Sequence, residues 1–560
     1  MSLQFITGNS GNGKTKYLFN RIVKEAKANP RDNYLVIVPE QFTMQTQRQL
    51  VDLSENKAIM NIDVLSFKRL AYRVFDELGI TNLTVLEETG KNLVLRKLAA
   101  QEADKLGVIG RNLNRIGYIS EVKSLLSELV QYNISPEELG RYIASGRLSD
   151  TLSDKLKDVL VLYEAFEKFM QDKYITAEEI LNVLSNVAEE SAILRNSVIA
   201  FDEFTGFTPI QNQLIKKLFV ISKKIYVTLT IDCREDIFKS RGMQELFDMP
   251  KRTVKSLTEM AAFYGIEVEE PIILDKNYRL AENEELSFME QQLFRKRRCS
   301  FKKAPKHIHI DCLRDPKQEL TKIARRINEL VRNENLRYRD IAIVTGDVNI
   351  YAGYVREIFD KYNIPYFIDA TQEILFHPFI EFIRSIPDIA AQNFSADAVF
   401  RFLRCGFSEL LDSEIDVLEN YVLACGVRGK SAWDKKWVRL PKHKAGYDIE
   451  LLNQSREYIM ELLKPVYQVF SDKKSTVKDY VLAIYKLIVL LDIPDKLAKK
   501  EQALLDAGDQ TASKEYGQIY KIVMQLFEKY VAVLGDECMD AEEFTQILDA
   551  GLDAADVAVI

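Results

Sequence analysis

Leu3-Gln4-Phe5-Ile6-Thr7-Gly8-Asn9-Ser10-Gly11-Asn12-Gly13-Lys14-Thr15 is the stretch on which the fold turns. Its first five residues read as a short apolar strand. The next eight have the spacing G-x-x-x-x-G-K-T, and Lys16 to Val23 follows with apolar residues at helical intervals. Strand, glycine-rich loop and helix in that order make a P-loop in its required context. Glycines let the backbone curl so that its N–H groups converge on phosphate oxygens, and the helix N-terminus behind them adds partial positive charge. Gly8, Asn9, Ser10, Gly11, Asn12 and Gly13 are the expected cradle. Lys14 is expected to reach the β- and γ-phosphates, and the Thr15 hydroxyl to hold Mg²⁺. The expected ligand is ATP with Mg²⁺.

A second motif answers the first. Ser197-Val198-Ile199-Ala200-Phe201-Asp202-Glu203-Phe204 is a buried-type strand ending in two carboxylates. Asp202 is the expected Mg²⁺ ligand, directly or through water, and Glu203 the residue that orients an attacking water. Further strands are predicted at Tyr34 to Pro39, Ala58 to Val64 and Lys224 to Ile231, so lobe 1 is a parallel α/β sheet. Ligands of such sheets sit at the carboxyl ends of the strands. There the chain offers Gln41, Thr43 and Thr46 after the second strand. Phe67, Arg69 and Tyr72 stand at the start of the helix after the third, and Phe207 lies on a Gly/Pro loop. Aromatic rings with arginine suit stacking on exposed bases and pairing with phosphate. Apolar helical spacing equally suits a core role for Phe67 and Tyr72, with Arg69 solvated.

Between residues 87 and 195 strand-like runs give way to helical spacing (Leu93, Leu98; Leu125, Leu129; Tyr163, Phe166), which predicts an inserted helical subdomain. Residues 196–293 complete lobe 1. A linker, 294–306, is strongly basic; it lies along a DNA backbone or is simply solvated. Strands at His307–Ile310, Ile341–Val344 and Tyr366–Ile368, with helices at about 316–333 and 351–363 between them, predict a partial second lobe over 307–375. Residues 376–560 read as helical. Within them lie Arg428, Lys430, Trp433, Lys435, Lys436, Trp437, Arg439, Lys442 and Lys444, which suit either a grip on a nucleic-acid strand or a tryptophan-anchored packing site.

Composition bounds these readings. With 560 residues, three to five domains fit at roughly 100–200 residues each. No apolar run reaches the roughly 18 residues of a membrane span, and the N-terminus enters a strand at once, so neither membrane nor signal peptide is expected. Six cysteines without C-x-x-C spacing and four dispersed histidines argue for reduced thiols in the cytoplasm and against a metal cluster. A net charge of −7 does not decide nucleic-acid binding, because basic surface can be local.

The order of motifs resembles superfamily 1 helicases of the UvrD/Rep type, with RecA-like lobes. F-I-T-G-N-S-G-N-G-K-T, V-I-V-P-E-Q-F-T, D-V-L-S-F-K-R-L-A and F-D-E-F-T-G-F-T-P-I-Q, with Asn277-Tyr278-Arg279 after them, resemble the AddB (RexB) family, a component of bacterial ATP-dependent helicase/deoxyribonuclease. The resemblance implies a heterodimer with an AddA-type motor and nuclease, acting on double-stranded and single-stranded DNA in recombinational repair of breaks. It implies that Arg279 contacts the nucleotide, and that Gln41, Thr43, Phe67, Arg69, Tyr72 and Phe207 read the single strand for Chi. Two departures bear on activity. UvrD-type motors carry glutamine where Thr205 stands, and a Gly-Asp-x-x-Gln segment where this chain has Ile231-Asp232-Cys233-Arg234-Glu235-Asp236-Ile237-Phe238. The γ-phosphate-sensing glutamine thus has no counterpart, which implies a protein that is not itself the motor. The family's nuclease domain and four-cysteine iron–sulfur cluster have no match here, so the chain is expected to be the N-terminal half of a longer protein, truncated before them. An active DNA-stimulated ATPase and a structural scaffold for the AddA-type partner are the alternatives.

Overall fold

The computed structural model describes every residue except 82–84, 109, 111–117, 147, 172–173, 295–298, 369–371, 375, 442–446, 554–555 and 558–560. The chain forms two compact units. Unit 1 holds residues 1–86, 125–144 and 169–311; unit 2 holds 87–124, 145–168 and 312–560.

Unit 1 is built on a seven-stranded parallel sheet. Its elements are β1 (Ser2–Gly8), α1 (Lys14–Ala28), β2 (Tyr34–Ile37), α2 (Thr43–Leu53), β3 (Ile62–Leu65), α3 (Phe67–Leu78), β4 (Val198–Phe201), α4 (Pro209–Ile221), β5 (Lys224–Thr230), α5 (Asp248–Phe263), β6 (Glu267–Val268), β7 (Ile272–Leu274) and α6 (Glu284–Gln292). The strand order is β3-β2-β4-β5-β1, with β6 and β7 both pairing the free edge of β1. Both faces are covered, so the strands are apolar throughout rather than alternating with polar residues. The two-residue period still sorts the side chains. Phe5, Leu35, Ile37, Ile199 and Phe201 pack under α3 and α4. Ile6, Tyr34, Val36, Val198 and Ala200 meet α1 and α2 on the opposite face. The α/β class and the lobe 1 strands agree with the sequence reading.

Residues 87–195 are mainly helical, but the structure divides them. Ile180, Leu184 and Ala188 belong to the apolar core of unit 1. Leu93 belongs to that of unit 2. One inserted subdomain was the expectation; amphipathic spacing reveals a buried face but not which neighbour buries it.

The second lobe differs more. Unit 2 contains α7 (Pro316–Asn333) and α8 (Val348–Lys361), close to the predicted helices, packed through Leu320, Ala324, Ile327, Ile358 and Phe359. The expected strands at His307–Ile310, Ile341–Val344 and Tyr366–Ile368 make no ladder among the described residues. A strand is defined by hydrogen bonds to a neighbour, and none pairs with these runs. Val344 is 94% exposed and Phe367 67%. Within the stretch read as helical, Asp556–Val557 instead forms a short strand paired antiparallel with Gln372–Glu373. The rest of unit 2 is helical, around one core that includes Phe379, Phe382, Trp433, Tyr480 and Tyr530. No helix among the described residues is long and apolar enough to cross a membrane.

Candidate functional site

The loop between β1 and α1 has the backbone its glycines predict. Gly11 and Gly13 adopt φ of +88° and +80°, where a side chain is strained. A Cβ on Gly11 would sit 2.7 Å from the Cβ of Arg279, so the loop also needs glycine there for the close approach of a second segment. That segment is Asn277-Tyr278-Arg279. Asn277 Nδ2 donates to the Ser10 carbonyl at 2.9 Å, the Tyr278 N–H to the Gly11 carbonyl at 3.0 Å, and Arg279 Nη1 to Ser10 Oγ at 3.3 Å. Arg279 therefore stands beside the loop. Asn277 and Tyr278 join it, as two contacts that motif spacing alone did not single out.

Lys14 donates to the carbonyls of Gly8 and Asn9 at 3.1 and 3.0 Å. Burial lowers its pKa, opposed by the carboxylates of Glu203 and Asp202. Asn9 is held from both ends: Nδ2 donates to Glu290 at 2.5 Å and Oδ1 accepts the Cys233 N–H at 3.0 Å. Asn12 Nδ2 donates to the Leu274 carbonyl at 2.5 Å. The loop is thus fixed by β7, α6 and the exit of β5.

The carboxylates meet Thr15 from β4. Thr15 Oγ1 lies 3.3 Å from both Asp202 Oδ1 and Glu203 Oε1. Asp202 is buried, accepts a hydrogen bond from Thr228, and keeps Oδ2 without any partner. Burial raises its carboxyl above the ordinary range. A buried oxygen with no donor beside a threonine hydroxyl fits a hard, oxygen-seeking cation, so Thr15 and Asp202 can hold Mg²⁺. Glu203 has φ +64°, a left-handed backbone that few non-glycine residues adopt outside functional turns. Thr228 was missed, although a polar residue inside Ile225-Tyr226-Val227-Thr228-Leu229 was the available signal.

After β5, residues 231–238 are pinned by ion pairs. Asp232 pairs with Arg234, and Glu235 pairs at 2.7 Å with Lys251, a buried lysine of α5 that also meets Glu245 at 3.2 Å. At Thr205 the carbonyl accepts from Thr253.

The expected DNA-reading residues divide by exposure. Gln41 is exposed, Tyr72 is 39% exposed, and Arg69 is exposed but tied to Glu40 at 2.7 Å. Thr43, Thr46 and Phe67 are corrections to the reading, because all three are buried. Thr43 Oγ1 donates to the Glu40 carbonyl at the start of α2. Phe67 lies among Phe201, Phe204 and Phe207 with centroids 5.6–6.3 Å away, so no base reaches its face. Phe207 is half-buried in the same cluster.

Other candidates resolve in the same way. Trp433 and Trp437 are buried core anchors, while Lys442 and Lys444 lie outside the described residues. In the basic linker, 295–298 lie outside them too. Its far end is tied down, with Glu285 accepting the N–H groups of Lys306 and His307. All six cysteines are free thiols, and no group of three or more potential metal ligands occurs among the described residues.

The family described as ADDB, N-terminal, matches residues 5–290. A protein of Lachnoclostridium phytofermentans, named as the B component of an ATP-dependent helicase/deoxyribonuclease, is 38% identical over 100% of this chain and 49% of its own length. Proteins of the same name from Clostridium acetobutylicum and Caldanaerobacter subterraneus subsp. tengcongensis are 31% and 32% identical, over 99% and 100% of this chain and 48% and 49% of theirs. The chain spans about half the length of the curated relatives it matches.

Proposed function

The chain belongs to the ADDB N-terminal family, and from that premise we propose that it is the nucleotide-binding, helicase-like region of an AddB-type protein that acts with an AddA-type motor and nuclease on double-strand DNA breaks. In this reading it binds and scans single-stranded DNA for Chi and does not drive translocation. The observation that carries the reading is a contrast within one site. The phosphate loop, Lys14, Thr15 and the partnerless oxygen of Asp202 are assembled for Mg²⁺-nucleotide. Yet the segment that stands in place of the motors' Gly-Asp-x-x-Gln offers carboxylates, and these are ion-paired, Asp232 to Arg234 and Glu235 to Lys251. A carboxylate repels a γ-phosphate, and an ion pair holds it back from moving toward one.

Each residue has a part. The glycine loop and Lys14 take the phosphates, and Arg279 adds charge at Ser10. Mg²⁺ held by Thr15 and Asp202 would neutralise phosphate charge. Gln41, Arg69, Tyr72 and the outer edge of Phe207 face the strand, while Thr43, Thr46 and Phe67 support that surface from below.

The test is steady-state ATP turnover with and without single-stranded DNA, beside a nucleotide-binding titration, on this chain and Lys14→Ala. Binding should be lost in Lys14→Ala, and neither protein should show DNA-stimulated turnover. Stimulated turnover that Lys14→Ala abolishes would overturn the reading. It would favour the second reading, a working ATPase, which rests on the left-handed Glu203 beside Thr15.

A further inference from the structure

Unit 2 carries an irregular segment that buried side chains hold in place. Residues 434–440 have no helix or strand. Their backbone is nevertheless held by buried polar side chains. Asn453 accepts the Trp437 N–H and donates to the Trp437 carbonyl, both at 2.9 Å. Arg456 donates to the Trp433 carbonyl at 2.9 Å, and Tyr421 to the Arg439 carbonyl at 2.7 Å. Burying Asn453 and Arg456 is costly unless they are satisfied, and here their hydrogen bonds serve to set the path of this loop.

The loop presents cations outward, with the apolar side chains of Val438 and Leu440 exposed among them. Lys435, Lys436 and Arg439 are exposed, and Arg428 is exposed nearby in sequence. The one acid among residues 428–440, Asp434, is taken by Lys430. None of the four cations makes a salt bridge among the described residues. By contrast, Arg326, Arg337, Arg384, Arg401 and Arg404 of the same unit all pair with carboxylates. Both tryptophan rings are buried, 0% and 7% exposed, so neither can stack on a base.

We propose that this strip is a binding surface for the phosphate backbone of duplex DNA, read without base contacts. Unpaired cations on a backbone fixed by buried side chains, with no exposed ring among them, recognise charge density rather than bases. A duplex carries about one charge per 1.7 Å of axis, well above a single strand, and so is the preferred partner. This surface lies wholly in unit 2 and does not depend on the nucleotide site.

The test measures binding of this chain to a blunt duplex and to a single strand of equal length across a salt series, by fluorescence anisotropy. Lys435→Gln/Lys436→Gln/Arg439→Gln is compared with Lys486→Gln/Lys499→Gln/Lys500→Gln, which removes the same charge from exposed positions on two other helices. The strip variant should lose duplex affinity on the order of a hundredfold near 0.1 M salt, with a log–log slope shallower by roughly two to three, since each phosphate contact contributes about 0.9. Single-strand affinity should fall less, and nucleotide binding should not change. Equal losses in both variants, an unchanged slope, or a larger loss on the single strand would overturn the proposal.

Discussion

Asp202 concentrates the conflict between stability and chemistry at a single carboxylate. Burial raises its pKa, so the unfolded chain gives up that proton more readily than the folded one. Stability is therefore lost as pH rises from the ordinary carboxylate range through the folded pKa. Asp202→Asn should remove that cost. We expect thermal melting without ligand to show the variant more stable by about 1 kcal/mol or more, with the stabilisation by Mg²⁺-nucleotide lost. A variant less stable without ligand would refute this account. The residues of this site were largely legible, because phosphate chemistry demands fixed residue types at fixed spacing. Thr228, which donates to Asp202, and Glu290, which accepts from Asn9, were not read, since they reach the site from distant parts of the chain. Thr43, Thr46 and Phe67 misled because position at a strand exit does not determine which way a side chain turns.

At the scale of elements, the helix Pro378–Ala391 begins on an unusual cap. His377 Nδ1 accepts the Phe379 N–H at 3.1 Å, the ring lies against Tyr516, and Nε2 has no partner. Burial pushes this imidazole from 6.5 down to about 4. A depressed histidine must charge on unfolding, so stability is lost as pH falls below 6.5 and the loss is complete near 4, about 3 kcal/mol in all. His377→Asn keeps a cap acceptor without titrating. Its acid unfolding, followed by circular dichroism, should be flatter between pH 6.5 and 4; an unchanged profile would show that other groups carry the transition. Elements themselves were read well where the pattern was local. Helices at 316–333 and 348–361 fall near their predicted spans. The three runs expected as second-lobe strands have the right composition, but a ladder requires a partner that local sequence does not contain.

For the whole molecule, two separate cores predict separate responses. Ligand that binds only the folded site stabilises by RT ln(1 + [L]/Kd), about 2.7 kcal/mol at a hundredfold excess over Kd. Hydrogen exchange with a non-hydrolysable nucleotide should therefore slow around residues 8–15, 202–203 and 277–279 of unit 1. The core helices of unit 2 should be unaffected. Protection spread equally over both units would show that the nucleotide is felt beyond the unit that binds it. Division of residues 87–195 between the units could not be read in advance, because helical periodicity records that a face is buried and is silent about its neighbour.

The open face beside α7 and α8 has a practical consequence. A cavity of about 1100 Å³ is lined there by Ile323, Ile327, Val355 and Phe359 and bordered by Val344 and Phe367, whose backbones pair with nothing among the described residues. Unpaired extended chain with apolar side chains is adhesive toward other copies of itself. Concentrated solutions of this chain should scatter light increasingly on standing, and Val344→Lys should suppress the haze while leaving nucleotide affinity intact. Handling then sets its own rule: dilute samples, brief storage, and caution with any binding curve measured where molecules already adhere to one another.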